Sequence, residues 1–216
     1  MEYNFSKENI VALLSESDPQ KIKRLYEDAF RTKVEHVGNK VYLRGLVEIT
    51  NICRKNCLYC GIRKENQNND RYETDSEDVI AAAKFAYQQG YGSMVIQGGE
   101  RNDKKFITKI TSILKQIREI DPESPLGITL SLGEQSLEVY QEWFEAGAHR
   151  YLLRIESSTQ ELFEKIHPVD ETHSFQTRLN ALKDLRRAGF QVGTGVMIGL
   201  PFQTLEHLAD DLLFFK

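Results

Sequence analysis

The stretch VEITNICRKNCLYCGIRKEN, residues 47–66, joins an apolar strand-like run to a polar loop that contains every cysteine of the 216-residue chain. Cys53, Cys57 and Cys60 have the spacing C-x3-C-x2-C. An odd number of crowded cysteines does not form a disulfide framework, and in a reducing compartment such crowding favours metal binding. The stretch therefore predicts a metal-binding loop directly after a strand.

Outward from this loop the sequence alternates between short apolar runs and amphipathic segments of helical length. The predicted strands are LVEIT from Leu46, SMVIQGG from Ser93, GITLSL from Gly127, RYLLRIES from Arg150 and QVGTGVMIGLP from Gln191. The predicted helices between them cover residues 76–89, 103–120, 135–146, 159–166 and 174–188. Such alternation is typical of a parallel sheet, because parallel neighbours need a long crossover connection.

The five strand–helix units are fewer than the eight of a closed barrel, which needs about 250 residues. We therefore predict an α/β fold, a partial or truncated (β/α) TIM-type barrel in which the far edge of the fifth strand needs a partner. Two helices, at residues 8–15 and 20–36, precede it, with Asp18 and Pro19 starting the second. A strand-like run, VYLRGLVEIT, follows from Val41. The predicted domains are a helical extension over 1–40 and a barrel core over 41–216, incomplete at its C-terminus.

The composition argues against two classes of partner. The 28 basic and 32 acidic residues give a formal charge of −4 and a pI near 5.8, so nucleic acid is not expected. No apolar run approaches the roughly 18 residues of a membrane-spanning helix, and the first residues lack the basic and apolar regions of a signal peptide. A cytoplasmic protein without a membrane partner is expected.

Three thiolates suit an iron–sulfur cluster with one open position. Cubane clusters are normally held by four thiolates, so three leave one iron free for a substrate or cosubstrate. Arg54, Lys55 and Arg63 flank the loop and would offset its negative charge. A non-catalytic scaffold with structural zinc is the alternative, but no histidine lies nearby in sequence to complete its ligands. A plain electron carrier is disfavoured because such carriers close their clusters with four protein ligands.

The segment QGGE, residues 97–100, ends the second predicted strand. Gly98 and Gly99 permit close approach of the backbone to a ligand. The Glu100 carboxylate can accept a hydrogen bond from an ammonium group. The alternative interpretation is an ordinary turn between strand and helix.

Polar side chains also occur in the third and fourth predicted strands. RYLLRIES places Arg154 and Glu156 on one face. Unpaired charges inside a barrel are costly, so these two side chains predict either a bound ligand or an ion pair with each other. Thr129 and Ser131 carry hydroxyls in a strand that should be apolar if wholly buried. They are weak candidates for substrate contacts.

The three-cysteine motif, with Tyr59 directly before its last cysteine, resembles that of the radical S-adenosylmethionine (SAM) superfamily. The resemblance implies that three thiolates bind a [4Fe-4S] cluster and that the amino and carboxylate groups of SAM occupy the fourth iron. An electron from the cluster would then cleave SAM to a 5′-deoxyadenosyl radical. Reduced ferredoxin or flavodoxin is the implied electron donor, and the substrate is a small molecule or an organometallic species.

The resemblance also implies roles for individual residues. The implied cofactor-binding residues are Tyr59, Gly98, Gly99, Glu100, Glu156, Arg178, Met197 and Gly199. Glu100 would hold the SAM amino group, Arg178 would bind its carboxylate, and Arg154 would face the substrate. An arginine on the solvent face of a helix is the alternative for Arg178, and core filling is the alternative for Met197. The glycines of VGTGVMIGLPFQT would let adenine lie against the backbone.

Within the superfamily, several segments resemble the HydE family of [FeFe]-hydrogenase maturases. They are NICRKNCLYCGIRKEN, SLGEQS, YLLRIESS, KIHP, RLNALKDLRRAGFQVGTGVMIGLPFQT and LADDLLFFK. The resemblance implies assembly of the diiron subsite of the hydrogenase H-cluster, together with other hydrogenase maturases. Biotin synthases and methylornithine synthases share the architecture and stay as alternatives. The family's barrel has further strands, and some members carry a second cluster on additional cysteines, so the substrate half of the site is expected to be incomplete here.

Overall fold

The computed structural model describes residues 5–216. The strands are β1 (Gly45–Thr50), β2 (Ser93–Gly98), β3 (Gly127–Ser131), β4 (Ala148–Leu152) and β5 (Gln191–Gly193). The helices are α1 (Lys7–Leu14), α2 (Pro19–Val37), α3 (Ser76–Gln88), α4 (Lys104–Arg118), α5 (Leu137–Glu145), α6 (Gln160–Lys165), α7 (Phe175–Arg187) and α8 (Leu205–Phe215). This order confirms the predicted alternation, with α6 and α7 both lying between β4 and β5.

The strands form one parallel sheet in the order β1-β2-β3-β4-β5. Successive side chains of a strand point to opposite faces, and one face packs on the helices. Its core includes the fully buried Ile49, Ile96 and Leu130 from the strands and Trp143 from α5. The predicted parallel α/β fold is confirmed, with five of the eight strands that a closed barrel contains.

The prediction that the strand-like run begins at Val41 is wrong, because residues 41–44 are not part of a strand. Val41, Tyr42 and Leu43 are 86%, 77% and 69% exposed, and β1 begins only at Gly45. The reason lies in the register, because Gly45 pairs with Met94 at the start of β2. Residues before Gly45 therefore have no neighbouring strand with which to form a hydrogen-bonded ladder.

The fourth and fifth strands are shorter than predicted. β4 ends at Leu152 and β5 at Gly193, whereas the apolar runs continue beyond both. Glu156 has a φ of +65°, which interrupts the extended conformation. Beyond the strands only the single bridge between Glu156 and Val196 continues the pairing. The chain therefore leaves the sheet early and forms irregular loops at this end.

The N-terminal helices differ in how they pack. α1 packs on α8, with Ile10 buried and Lys7 Nζ 2.7 Å from Asp210 Oδ2. α2 begins as predicted, with the Asp18 side chain accepting a hydrogen bond from the backbone N–H of Gln20, but it has no buried residue. None of the helices within residues 5–216 has both the length and the apolar character needed to cross a membrane. The domain division at residue 40 stays a prediction.

Candidate active site

The loops that follow the strands gather at one end of the sheet. The carboxyl ends of parallel strands meet at the same edge, where the active sites of such folds lie. The cysteine loop, residues 53–60, follows β1, and the residues Glu100, Glu134, Glu156 and Met197 follow β2 to β5 in turn. The Arg54 N–H donates to the carbonyl oxygen of Glu100 at 2.9 Å, which joins the cysteine loop to the end of β2.

The three cysteines are free thiols of intermediate burial. Cys53 Sγ accepts a hydrogen bond from the Glu100 N–H at 3.3 Å. Burial raises the pKa of Cys53 and raises the pKa of Cys57 to about 11, and charge on neighbouring cysteines adds to both shifts. A bound cationic group would favour the thiolate form of Cys57 at neutral pH.

Gly99 lets the cysteine loop approach β2 closely. A Cβ at Gly99 would overlap the carbonyl oxygen of Ile52 and lie 2.9 Å from Cys53 Cβ. A Cβ at Gly98 would lie 3.0 Å from the carbonyl oxygen of Thr50. Packing of the chain on itself therefore requires glycine at position 99 and leaves little room for a side chain at position 98. Close approach of these two glycines to SAM stays a prediction.

Both carboxylate oxygens of the buried Glu100 have partners. Oε1 accepts a hydrogen bond from Arg54 Nε at 2.8 Å and lies 3.7 Å from Lys55 Nζ. Oε2 accepts a hydrogen bond from the Glu134 N–H at 2.8 Å. Burial raises the pKa of Glu100, and the charge of Lys55 opposes that shift. Glu100 thus connects the cysteine loop to the end of β3, and its predicted bond to the SAM ammonium stays a prediction.

Glu134, a second buried carboxylate, was missed by the sequence reasoning. Its Oε2 accepts a hydrogen bond from Lys55 Nζ at 2.8 Å, and its Oε1 accepts one from Arg178 Nε at 2.5 Å. Burial acts to raise the pKa of Glu134, but Arg178 and Lys55 outweigh it and lower that pKa. A signal was present in the sequence, since Gly133 and Glu134 directly follow the predicted strand GITLSL as Gly99 and Glu100 follow β2.

Arg178 lies inside the site. It is 7% exposed, and its guanidinium donates to Glu134 and to the carbonyl oxygen of Arg154. The alternative that placed it on the solvent face of its helix is therefore wrong. Burial lowers the pKa of Arg178, but the charge of Glu134 outweighs burial and raises it. Its contact with the SAM carboxylate remains a prediction.

Glu156 combines a positive φ with a buried carboxylate. Its N–H donates to the carbonyl oxygen of Gly195, and its own carbonyl accepts from the Met197 N–H, each at 3.0 Å. Oε2 lies 3.3 Å from Arg154 Nη2 but has no hydrogen-bond partner. Burial raises the pKa of Glu156, and Arg154 and Arg178 oppose that shift. A loose ion pair is present, and a strained, buried acceptor remains available to a ligand.

Arg154 lies at the margin of the site. Its side chain is 47% exposed. The guanidinium donates from Nη2 to the carbonyl oxygen of Val196 at 3.2 Å. It therefore remains accessible to a substrate, and its predicted role stays a prediction.

Tyr59 and Met197 belong to an apolar cluster beside the cysteine loop, and the exposed Gly199 follows Met197 by two residues. Tyr59 and Met197 pack on a small cluster of Leu162, Ile166 and Leu200, which supports core filling by Met197. Gly199 has a φ of +84°, and a Cβ there would meet nothing within 4 Å. Its left-handed backbone is therefore what favours glycine. The SAM contacts of the three residues stay predictions.

Thr129 and Ser131 lie on the sheet face away from the helices. Thr129 is 7% exposed, and its Oγ1 has no hydrogen-bond partner. It lines a cavity of about 300 Å³ with Val95 and Arg150. Ser131 lies in register with Gln97, whose side chain donates to Glu48 at 2.8 Å. This face therefore carries polar groups, and the predicted substrate contacts of Thr129 and Ser131 stay predictions.

The residues of the site fit a cluster with an open iron. The charge network beside the cysteine loop consists of the buried Lys55, Arg178, Glu100 and Glu134 together with the partly exposed Arg54. It contains three cations and two carboxylates, and this surplus of positive charge suits the negative charge of thiolates. Within residues 5–216, no group of three or more His, Cys, Asp or Glu is arranged around a single ion. A cubane instead places each thiolate on a different iron.

Comparisons with known proteins identify the family. The Radical SAM superfamily profile matches residues 47–215. The [FeFe] hydrogenase maturase subunit HydE of Thermotoga maritima is 40% identical over 213 residues, which cover 98% of this chain and 59% of that protein. A biotin synthase of Magnetococcus marinus is 30% identical over 180 residues, covering 82% of this chain and 54% of that protein.

The solved structure of a methylornithine synthase superposes with a TM-score of 0.87 and covers 99% of this chain and 61% of that one, at 22% identity. At that identity the match shows a shared fold only. The chain spans 59% and 54% of the two curated relatives above. Because the profile extends from β1 through α8 and includes all three cysteines, the chain belongs to the radical S-adenosylmethionine superfamily.

Proposed function

We propose that the chain is a radical SAM enzyme that acts in the maturation of [FeFe]-hydrogenase, in assembly of the diiron subsite. The observation that carries the proposal is the loop of three free cysteines at the carboxyl end of the parallel sheet, beside a largely buried charge network that is net positive with Arg54 included. The 40% identity to a HydE maturase over 98% of the chain supports the choice of pathway.

In this proposal Cys53, Cys57 and Cys60 hold a [4Fe-4S] cluster. When bound there and reduced, the cluster supplies the electron that cleaves SAM to a 5′-deoxyadenosyl radical. Lys55 and Arg54 place positive charge beside the thiolates, which favours their deprotonated form. Glu100 and Glu134 keep these cations in place through contacts of 2.8 Å.

SAM is proposed to bind between the cysteine loop and the end of β4. The buried Oε2 of Glu156 lacks a hydrogen-bond partner, so it can accept a hydrogen bond from a hydroxyl or ammonium group of the cosubstrate. Arg178 supplies a cation for a carboxylate. Gly98, Gly99, Glu100, Tyr59, Met197 and Gly199 complete the proposed cofactor-binding set.

The substrate is proposed to lie against the uncovered face of the sheet. Thr129 has an unpartnered buried hydroxyl there, and Ser131 follows it on the same face. Arg154, half-exposed at the margin, would meet a negatively charged group. A small molecule or organometallic species fits these groups, with electrons from reduced ferredoxin or flavodoxin and with other hydrogenase maturases as partners.

Anaerobic reconstitution with iron and sulfide tests the cofactor assignment. The reduced protein should give a [4Fe-4S] EPR signal that changes when SAM is added, and should release 5′-deoxyadenosine. Cys57→Ser should lose the signal, because two thiolates do not hold the cluster. The exposed Ser15→Ala is a control expected to match the parent. An EPR signal that SAM leaves unchanged would contradict the proposal.

The pathway needs a separate test. Biotin synthase activity is the second candidate, because a biotin synthase is 30% identical over 82% of this chain. The HydE maturase is favoured, because its identity of 40% and its coverage of 98% of this chain are both higher. A hybrid in which this chain replaces the matching part of the Thermotoga maritima maturase should restore hydrogenase activity in a host that lacks its own HydE, whereas the chain placed in the same way in a biotin synthase should not restore growth of a biotin auxotroph. The reverse result would assign the chain to biotin synthesis.

A further inference from the structure

A segment behind the cysteine loop contacts it at several successive points. We call this segment, Ile166–His173, the rear brace; it joins α6 to α7. Two backbone carbonyl oxygens of the brace accept hydrogen bonds: that of Thr172 from Lys55 Nζ and that of Ile166 from the Leu58 N–H, the latter at 3.1 Å. Two histidine rings also accept: His173 Nε2 from the Asn56 N–H at 3.0 Å and His167 Nε2 from the Tyr59 hydroxyl at 3.2 Å. The cysteine loop is thus held from a segment more than a hundred residues away in sequence.

The two histidines of the rear brace present the same atom to the loop. His173 Nε2 accepts from a backbone N–H, so its proton resides on Nδ1, which lies 2.7 Å from Asp170 Oδ1. His167 Nδ1 lies 2.8 Å from the carbonyl oxygen of Phe163, so it donates there and leaves Nε2 as the acceptor. Each imidazole is therefore fixed as one tautomer by the hydrogen bond that its Nδ1 makes to a residue three or four positions earlier in the chain.

Burial makes these acceptors difficult to replace. His167 and His173 are 3% and 7% exposed, and burial also lowers the pKa of His167 to about 4. Water has little access to the ring of His173, so loss of this acceptor would leave the Asn56 N–H without a partner. An unsatisfied buried donor is much costlier than a hydrogen bond that water can replace.

Each histidine contacts a different interval of the three-cysteine motif. Asn56 lies in the interval between Cys53 and Cys57, and Tyr59 lies between Cys57 and Cys60. We propose that His167 and His173 are positioning residues that fix one interval each, so that the three thiols are arranged before a cluster binds. This inference rests on the proposed function for its purpose, since the arranged thiols are those assigned to the cluster.

Substitution of His173 by two residues of similar shape tests the inference. His173→Gln keeps an oxygen acceptor, whereas His173→Met removes all but a weak one. In the metal-free chain we expect amide exchange of Asn56 to accelerate at least about tenfold in H173M and to stay near the parental rate in H173Q. His36→Met makes the same change at an exposed position on α2 and should leave that rate unchanged.

Iron and sulfide content after anaerobic reconstitution provides the second readout. H173M should retain less than about half of the parental content while its sheet amides keep their protection, and H173Q should recover most of it. Parental exchange and iron content in H173M would overturn the inference, as would equal acceleration at every amide, which would show a structural role alone. If the parent itself takes up no iron, the proposed function fails, and the Asn56 exchange rates still decide the inference.

Discussion

Two buried carboxylates on neighbouring strand ends have opposite pKa shifts. Burial dominates at Glu100 and raises its pKa, whereas Arg178 and Lys55 overcome burial at Glu134 and lower its pKa. The contacts explain the difference, because Glu134 receives hydrogen bonds from two buried cations at 2.5 and 2.8 Å. Lys55 lies farther from Glu100, at 3.7 Å. Glu134 therefore offsets the desolvation cost of burying Arg178 and Lys55.

Replacement of Glu134 should destabilise the fold. Glu134→Gln keeps the side-chain shape but leaves Lys55 and Arg178 without their shared carboxylate. Breaking a buried ion pair by removing one partner costs about 3–5 kcal/mol, so the free energy of unfolding in urea should fall by about 3 kcal/mol. Glu138→Gln, at an exposed position at the start of α5, is the matched control and should change it by less than about 0.5 kcal/mol. Equal values for the two variants would refute this account of the network.

Gly99 should tolerate no side chain. Gly99→Ala would place a Cβ against the carbonyl oxygen of Ile52, and overpacking of this kind typically costs about 1–3 kcal/mol. Because the displaced backbone carries Cys53, iron content after reconstitution should fall together with the free energy of unfolding. Gly61→Ala is the control in the same region, since a Cβ there meets nothing within 4 Å. If G99A binds as much iron as G61A, the close approach does not position the loop.

At the scale of elements, sequence periodicity predicted the strands but not where they end. β2 follows directly from SMVIQGG because alternate residues pack on the helices while both neighbours supply hydrogen bonds. The run from Val41 has the same strand character and stays outside the sheet, because strand formation also requires a partner at that register. Whether a neighbour is present is a property of the tertiary structure, so local pattern does not reveal it.

The same limit applies to the site. Cys53, Cys57 and Cys60 were recognisable because ligand spacing is local in sequence. Glu134 and His173 act through residues 79 and 117 positions away, so their own sequence neighbourhood does not show what they contact, even where a Gly-Glu pair after a strand marks Glu134 as a candidate. The sequence therefore identified the ligand-bearing loop, while the residues that hold the loop emerged only from the fold.

Helix α1 should behave as a separately detachable element. It contributes one buried residue, Ile10, to its contact with α8, and the Lys7–Asp210 ion pair is partly exposed, so that pair contributes at most about 1 kcal/mol. Ile10→Ala should lower local stability by about 2–4 kcal/mol. Hydrogen exchange should then accelerate across Lys7–Leu14 while sheet amides keep their rates. Lys7→Ala should have a much smaller effect, and acceleration throughout the sheet in I10A would show that α1 is integral to the core.

For the whole molecule, the exposed apolar surface near the β1 edge should control association. Val41, Tyr42, Leu43 and Leu46 are each more than half exposed, and contiguous apolar patches beside an unpaired strand edge promote contact between chains. We expect the average mass in sedimentation equilibrium to rise with protein concentration. Val41→Lys combined with Leu43→Lys should restore the monomer mass, because lysines at this edge add charge repulsion and remove apolar surface. Phe85→Lys combined with Val169→Lys adds the same charge at exposed positions elsewhere and should leave association unchanged. A monomer mass for the parental chain at every concentration, or equal suppression by both pairs, would show that this patch does not drive association.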